Sequence, residues 1–259
     1  MEVNSAIIYE QPLNEQVRTC LRIEHLLQQF HFTESGNTQW HTRNAMAALL
    51  KILNILDRPD LKPKLTQALS QHATALSALE TIPHVHKEKL NAVLNELDLT
   101  IDALHQFKGK FGEKLRQNEF LNHIRMHINN PAGACDYATP DYALWLKCPI
   151  ETRNQQLKHW FSDLNLLVDV VNLHLRITRS STPFQTLTAA HGFYHQSMDA
   201  TSPALLLRIR MHHLLHCYPE TSVGKHRIAV RFLQMKNFTR GESQQIDTDI
   251  QFDIACCKI

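Results

Sequence analysis

A chain of 259 residues with 43% hydrophobic and 20% charged residues has enough apolar material for one large domain or two modest ones. Its net charge of +2 supplies no global field toward nucleic acid, so any electrostatic function must come from local clustering. No apolar run approaches the roughly 20 residues that a membrane-spanning helix needs, and the opening MEVNSAIIYEQPLNE lacks the basic start and long apolar stretch of a secretory signal, which makes the cytoplasm the expected compartment.

Residues 6–10 are apolar and β-branched enough to predict a strand. PLNEQVRTCLRIEHLLQQFHF then predicts a helix, with Asn14 as N-cap and Glu15 in the first turn. Val17, Cys20, Leu21, Leu27 and Phe30 recur near helical spacing and mark its buried side, while Arg18, Arg22, His25 and Gln29 form a polar stripe. NAMAALLKILNIL, residues 44–56, is almost wholly apolar and predicts a buried helix. DRPDLKPKL is a turn and a restart, since proline is tolerated at helix beginnings. Stripes at Leu65, Leu69, His72, Leu76 and Leu79, then at Leu90, Val93, Leu94, Leu97, Ile101 and Leu104, predict two further helices. Residues 120–128 continue the pattern, and Thr139 with Pro140 predicts the N-cap and first turn of a short helix. One long helix is expected over RNQQLKHWFSDLNLLVDVVNLHLRITR.

Past Ser180 short β-favouring segments alternate with turn-rich stretches. The expectation is an α+β fold: a mainly helical domain over residues 12–180 and a small antiparallel β-sheet domain over 181–259, joined by the N-terminal strand. Period-two alternation places Leu207, Ile209 and Met211 on one face and Arg208 and Arg210 on the other. In GKHRIAVRFLQM, Ile228, Val230 and Phe232 share a face opposite Lys225, Arg227, Ala229 and Arg231. In IQFDIACC, Ile250, Phe252, Ile254 and Cys256 oppose Gln251, Asp253, Ala255 and Cys257.

Motifs of catalysis are missing. Seven glycines leave no phosphate-binding loop, dinucleotide fingerprint or nucleophile elbow. Six scattered cysteines read as reduced core thiols, and the histidine groups around 84–86, 212–213 and 216–217 lack paired metal-ligand spacing, so neither metal nor cofactor is expected. What stands out is the basic side of the strands, where repulsion between neighbouring like charges calls for something anionic. Nucleic acid is one candidate, but Phe232 lies on the apolar side and supplies no exposed stacking platform, while Phe193 and Tyr194 stay unassigned to either face. The favoured candidate is a short acidic peptide, with Arg227 and Arg231 taking carboxylates and Ala229 leaving room for an apolar side chain.

PLNEQVRTCLRIEHLLQQ, DRPDLK, HGFYHQ, GKHRIAVRFL and FDIACC, in this order, carry a resemblance over essentially the whole length. The chain resembles the ZapD family of bacterial Z-ring-associated cell-division proteins. That resemblance implies a non-enzymatic cytoplasmic homodimer at the midcell division ring. The long apolar stripes point to the helical domain as the dimer contact, and core packing explains them equally well. It also implies binding to the C-terminal tail of FtsZ and bundling of its protofilaments. Carried over residue by residue, the family's tail-binding positions fall on Arg22 within RTCLRIE, Arg58 within DRP, and Arg227 and Arg231, with Lys225 just ahead. Beside Arg58 proline replaces the family's glycine, and two further positions depart from the pattern: Glu119, which leaves Arg116 and Arg125 as substitutes, and Ala143. Arg208 and Arg210 are further basic candidates at the margin of the site. No membrane contact is expected, and a nucleic-acid-binding module on the same face is the alternative reading.

Overall fold

Helices fill most of the chain between residues 15 and 180, and strands occupy its two ends. The computed structural model describes residues 6–83, 85–131, 133–198, 204–212, 217–224 and 226–258. Two units emerge: one from Thr19 to Leu175, the other from the residues up to Arg18 together with those from Arg176 onward. The chain passes from one unit to the other inside its first long helix and returns inside its last.

The helices are α1 (Glu15–Glu34), α2 (Gln39–Leu56), α3 (Leu61–Ser77), α4 (Lys87–Gln106), α5 (Glu113–Gln117), α6 (Glu119–Ile128), α7 (Pro140–Trp145), α8 (Ile150–Ser162) and α9 (Asn165–Ser180). Asn14 starts α1 as its spacing predicts, its side-chain Oδ1 accepting the Val17 N–H at 2.8 Å. In α2 the residues from Ala45 to Leu56 are buried on several sides, as the continuous apolar run requires. Phe30 of α1 stacks on Phe161 of α8 with ring centroids 4.3 Å apart.

Three local expectations need correction. The single long helix is two, α8 and α9, separated at Asp163 and Leu164. Ser162, Asp163 and Asn165 compete with the helix for their own backbone; Ser162 bonds back to the His159 carbonyl, and the break sinks Leu164 completely into the core. Thr139 makes no side-chain cap on α7. Its hydroxyl donates to the Cys135 carbonyl, and Asp141 accepts the Tyr142 N–H instead. Finally, α5 was unforeseen: Gly112 caps its start at a φ of +65°, which strains any side chain, and a Cβ there would push on Leu53 at 2.7 Å.

The strands are β1 (Ala6–Pro12), β2 (Gln185–Ala189), β3 (Phe193–Ser197), β4 (Leu206–His212), β5 (Cys217–Val223), β6 (Arg227–Asn237), β7 (Glu242–Gln245) and β8 (Ile250–Cys257). All pair antiparallel. They make two four-stranded sheets, one in the order β1-β4-β8-β2 and one in the order β3-β6-β5 with β7 also on β6. The fold is α+β, with the N-terminal strand joined to the C-terminal ones. The stretch TPFQTLTAAHGFYHQ serves both sheets, because His191 (φ 49°) and Gly192 (φ 67°) turn the chain between β2 and β3. A Cβ on Gly192 would stand 2.3 Å from the Ile246 carbonyl oxygen, so only glycine fits this crossing. Pro219 lies in β5, an edge strand, where a missing N–H is tolerated.

Both sheets contribute to one core. Leu207, Ile209 and Met211 of β4 and Ile250, Phe252 and Ile254 of β8 pack with Ile228, Val230 and Phe232 of β6. The alternation gives the correct buried side in β4 and β6 and in β8 as far as Ile254; beyond it Ala255 and Cys257, expected on the polar side, are buried, and Cys256 is only half-buried.

His72 of α3 and His174 of α9 form a buried pair in the helical unit, Nε2 to Nδ1 at 3.0 Å. Burial depresses both imidazoles, His72 to about 4 and His174 to about 3. Unfolded imidazoles titrate near 6.5, so below that pH the unfolded chain binds protons that the folded pair refuses. Stability is complete above about 6.5 and falls as the pH drops toward the folded values, by about 2 kcal/mol per imidazole between pH 6.5 and 5. Thermal unfolding should show Tm falling over this window and a shallower fall in His174→Gln; equal slopes would clear the pair of responsibility.

Candidate functional site

β6 sits between β3 and β5, so the residues opposite one another define rows on its two faces. On the face turned away from the core, Phe193, Arg231 and Glu220 make one row and His195, Ala229 and Ser222 the next. Ser197 and Arg227 form a third, and Gln245, Leu233 and Tyr218 lie on the far side. Same-face neighbours along a strand stand about 7 Å apart, which separates Arg227 from Arg231 by about 13 Å. Both arginines are exposed, and among the described residues neither has a carboxylate within ion-pair distance, Glu220 included. Lys225 lies outside the described residues.

The structure does not bring Arg208 and Arg210 to this face. They belong to the other sheet and point away from the shared core on its outer side, so the single basic face expected from alternation is two faces turned in opposite directions. Their charge is already compensated. Glu10, directly opposite Arg208 in the β1–β4 register, accepts from Arg208 Nε at 2.9 Å and from Arg179 at 2.9 and 2.6 Å. Arg208 also donates to the Arg179 carbonyl. Arg210 bonds Asp253, its partner in the β4–β8 register, at 2.8 Å. Hydrogen bonds from Thr186 and Arg210 hold the Asp253 carboxyl below its ordinary range. Both guanidiniums lie over the Phe184 ring, at 4.9 and 4.4 Å. The anion that the repulsion argument required is here part of the chain.

The remaining candidates lie in the helical unit. Arg22 is exposed on α1, without an ion pair among the described residues. Arg58 is exposed immediately after α2. Arg116 and Arg125 converge on Asp57: Arg116 bonds it at 3.1 Å and also takes the Leu56 and Phe111 carbonyls, while Arg125 bonds Asp57 and Asn54. Those two cations close the C-terminal end of α2, which accounts for them without a ligand.

The sequence leaves Phe193 without a face and gives no sign of His195 or Glu220. Phe193 is 41% exposed beside Arg231, and its ring stacks on His195 with centroids 5.9 Å apart. Its neighbour Tyr194 turns inward against Phe252 at 5.4 Å. Counting alternation from Gly192 would have separated the two aromatics; Pro219 hid β5, and with it Glu220. Among the described residues no three His, Cys, Asp or Glu side chains gather as a metal site, and no helix is long and apolar enough to cross a membrane.

Comparison with known proteins gives consistent matches. A family model described as "ZapD: Cell division protein" matches residues 21–231. The cell division protein ZapD of Coxiella burnetii (strain RSA 493 / Nine Mile phase I) is 44% identical over 257 residues, 99% of this chain and 100% of the relative. Cell division protein ZapD of Janthinobacterium sp. (strain Marseille) is 32% identical over 251 residues, 97% of this chain and 99% of the relative. That of Nitrosomonas eutropha (strain DSM 101675 / C91 / Nm57) is 30% identical over 253 residues, 98% and 100% respectively.

Removing the charge of Glu10 takes a shared carboxylate from two largely buried guanidiniums. Glu10→Gln should lower the urea unfolding free energy by about 2–3 kcal/mol. A variant as stable as the parent would show that the cluster is not a structural pin.

Proposed function

The chain belongs to the ZapD family of cell division proteins, and from that premise we propose that it binds the C-terminal tail of FtsZ through the outer face of β6 and bundles FtsZ filaments at midcell. The observation that carries this reading is the pair of exposed guanidiniums about 13 Å apart, uncompensated among the described residues, with Ala229 between them. They match carboxylates on an extended acidic peptide, and the small alanine leaves room for an apolar side chain. Arg22 and Arg58, assigned by the family pattern and exposed on the helical unit, are additional cations for the same acidic partner.

The proposed action needs no catalysis. Each arginine–carboxylate contact on a solvated surface contributes about 1 kcal/mol or less, so one tail is held weakly. A homodimer offers two sites to a filament that offers many tails, and linkage raises avidity over single-site affinity by roughly 10²–10⁴. Bundling then depends on the dimer rather than on tight single contacts.

One observation supports a second reading. An exposed phenyl ring beside Arg231 is the kind of platform on which single-stranded nucleic acid stacks. The acidic Glu220 in the same row works against it. Binding of a labelled tail peptide to the full chain separates the two. Wild type should bind in a salt-sensitive manner, and Arg231→Glu should weaken binding roughly tenfold to thirtyfold with the fold intact. Unchanged binding by Arg231→Glu would remove the site assignment, and an oligonucleotide held at physiological salt in place of the peptide would favour the nucleic-acid reading.

A further inference from the structure

The face around Ala229 carries an aromatic feature that the two arginines do not explain. The core takes Tyr194 from β3 and leaves Phe193 outside, although a phenyl ring gains nothing from water. That ring is held in place by its stack on His195, with 28° between the ring planes. Phe193 stands in the row of Arg231, and His195 in the row of Ala229. Across β6 the same two rows end in Glu220 and Ser222. The surface is therefore one-sided, with an aromatic wall along β3, a small-residue floor at Ala229 and a carboxylate on the β5 side.

We propose that the Phe193–His195 stack is the apolar seat of the tail site and that Glu220 fixes the side from which the tail enters. This rests on the reading of the face as a tail-binding surface. An extended acidic peptide lays one apolar side chain against Phe193 and over Ala229. Its flanking carboxylates reach Arg227 and Arg231. Because same-face residues of an extended chain also recur about every 7 Å, the matching ligand has its two acids four residues apart, with the apolar residue midway. Glu220 repels a carboxylate arriving over β5 and leaves the β3 side open, so the peptide lies nearer the rings than the edge strand. A nucleic-acid strand fits less well: with a phosphate on every nucleotide it brings more negative charge near Glu220 than the two carboxylates of the peptide do.

The test is fluorescence anisotropy of the labelled tail peptide with the full-length protein at several salt concentrations. Phe193→Ala should weaken binding about fivefold to tenfold with the wild-type salt dependence, because no charge has changed, whereas Arg231→Glu should weaken binding and flatten that dependence. Phe193→Leu should recover most of the loss, and Glu220→Gln should bind more tightly than wild type. In a serine scan of the peptide's apolar residues, one replacement should reproduce the Phe193→Ala loss and add nothing to it in the mutant. If Phe193→Ala and every serine peptide bind as tightly as their parents while Arg231→Glu does not bind, the aromatic seat is wrong and the arginine site stands. If Arg231→Glu binds like wild type, the underlying reading falls as well. Should Phe193→Ala lose its fold by circular dichroism, the serine scan against wild type decides alone: no weakened peptide overturns the seat. Displacement of the peptide by an oligonucleotide at physiological salt overturns both.

Discussion

Two sheets share one apolar core, and that constraint sorts every other side chain of the β unit. Once Ile209, Phe252 and Phe232 have been committed inward, each sheet has a single face left for everything polar. Arginines spaced for the same side of a strand then meet different fates. On β4 they fall beside the carboxylates that β1 and β8 present, and become part of the scaffold. On β6 they fall beside a serine, an alanine, a phenylalanine and one glutamate that does not reach them. The candidate site is a remainder: the part of the polar surface whose charge the described residues leave uncompensated.

The helical unit treats its cations similarly. Arg116 and Arg125 are spent on one aspartate and on backbone carbonyls at the end of α2, where an unpaired carbonyl group is otherwise costly. Arg153, nearly buried, ties the Thr42 hydroxyl and the Cys148 carbonyl. Arg22 remains at the surface without an ion pair among the described residues. A basic residue here informs about ligands only after its internal partners have been counted.

That counting is what the sequence could not supply. Period-two alternation made the inward faces of β4, β6 and β8 legible, and Asn14 announced α1, because both depend on residues a few positions apart. The partner of Arg208 is Glu10, far away in the chain, and no local pattern connects them. The same limit hid the split into two sheets, which depends on the strained crossing at His191 and Gly192 within a stretch that reads as one strand. The break at Asp163 was visible in its polar residues but was outweighed by the leucines around it. Phe193 was readable by the alternation used elsewhere, starting from the glycine before it.

The pairing of β1 with β4 sets an order of events during synthesis. Ala6 pairs with His212, roughly 200 residues downstream, a stretch that takes about 10–40 s to translate at 5–20 residues per second. Closing so long a loop adds little to its free-energy cost, since each doubling of length adds only about 0.6 kcal/mol, but it imposes a wait. Throughout that interval the nascent chain carries an Ile-Ile-Tyr segment with no strand to receive it, the sort of stretch that seeds intermolecular pairing. Glu10 and Pro12 follow it directly. A charge and a proline beside an unpaired apolar segment act as gatekeepers, so the carboxylate that later pins the sheet first protects the chain that is waiting to form it.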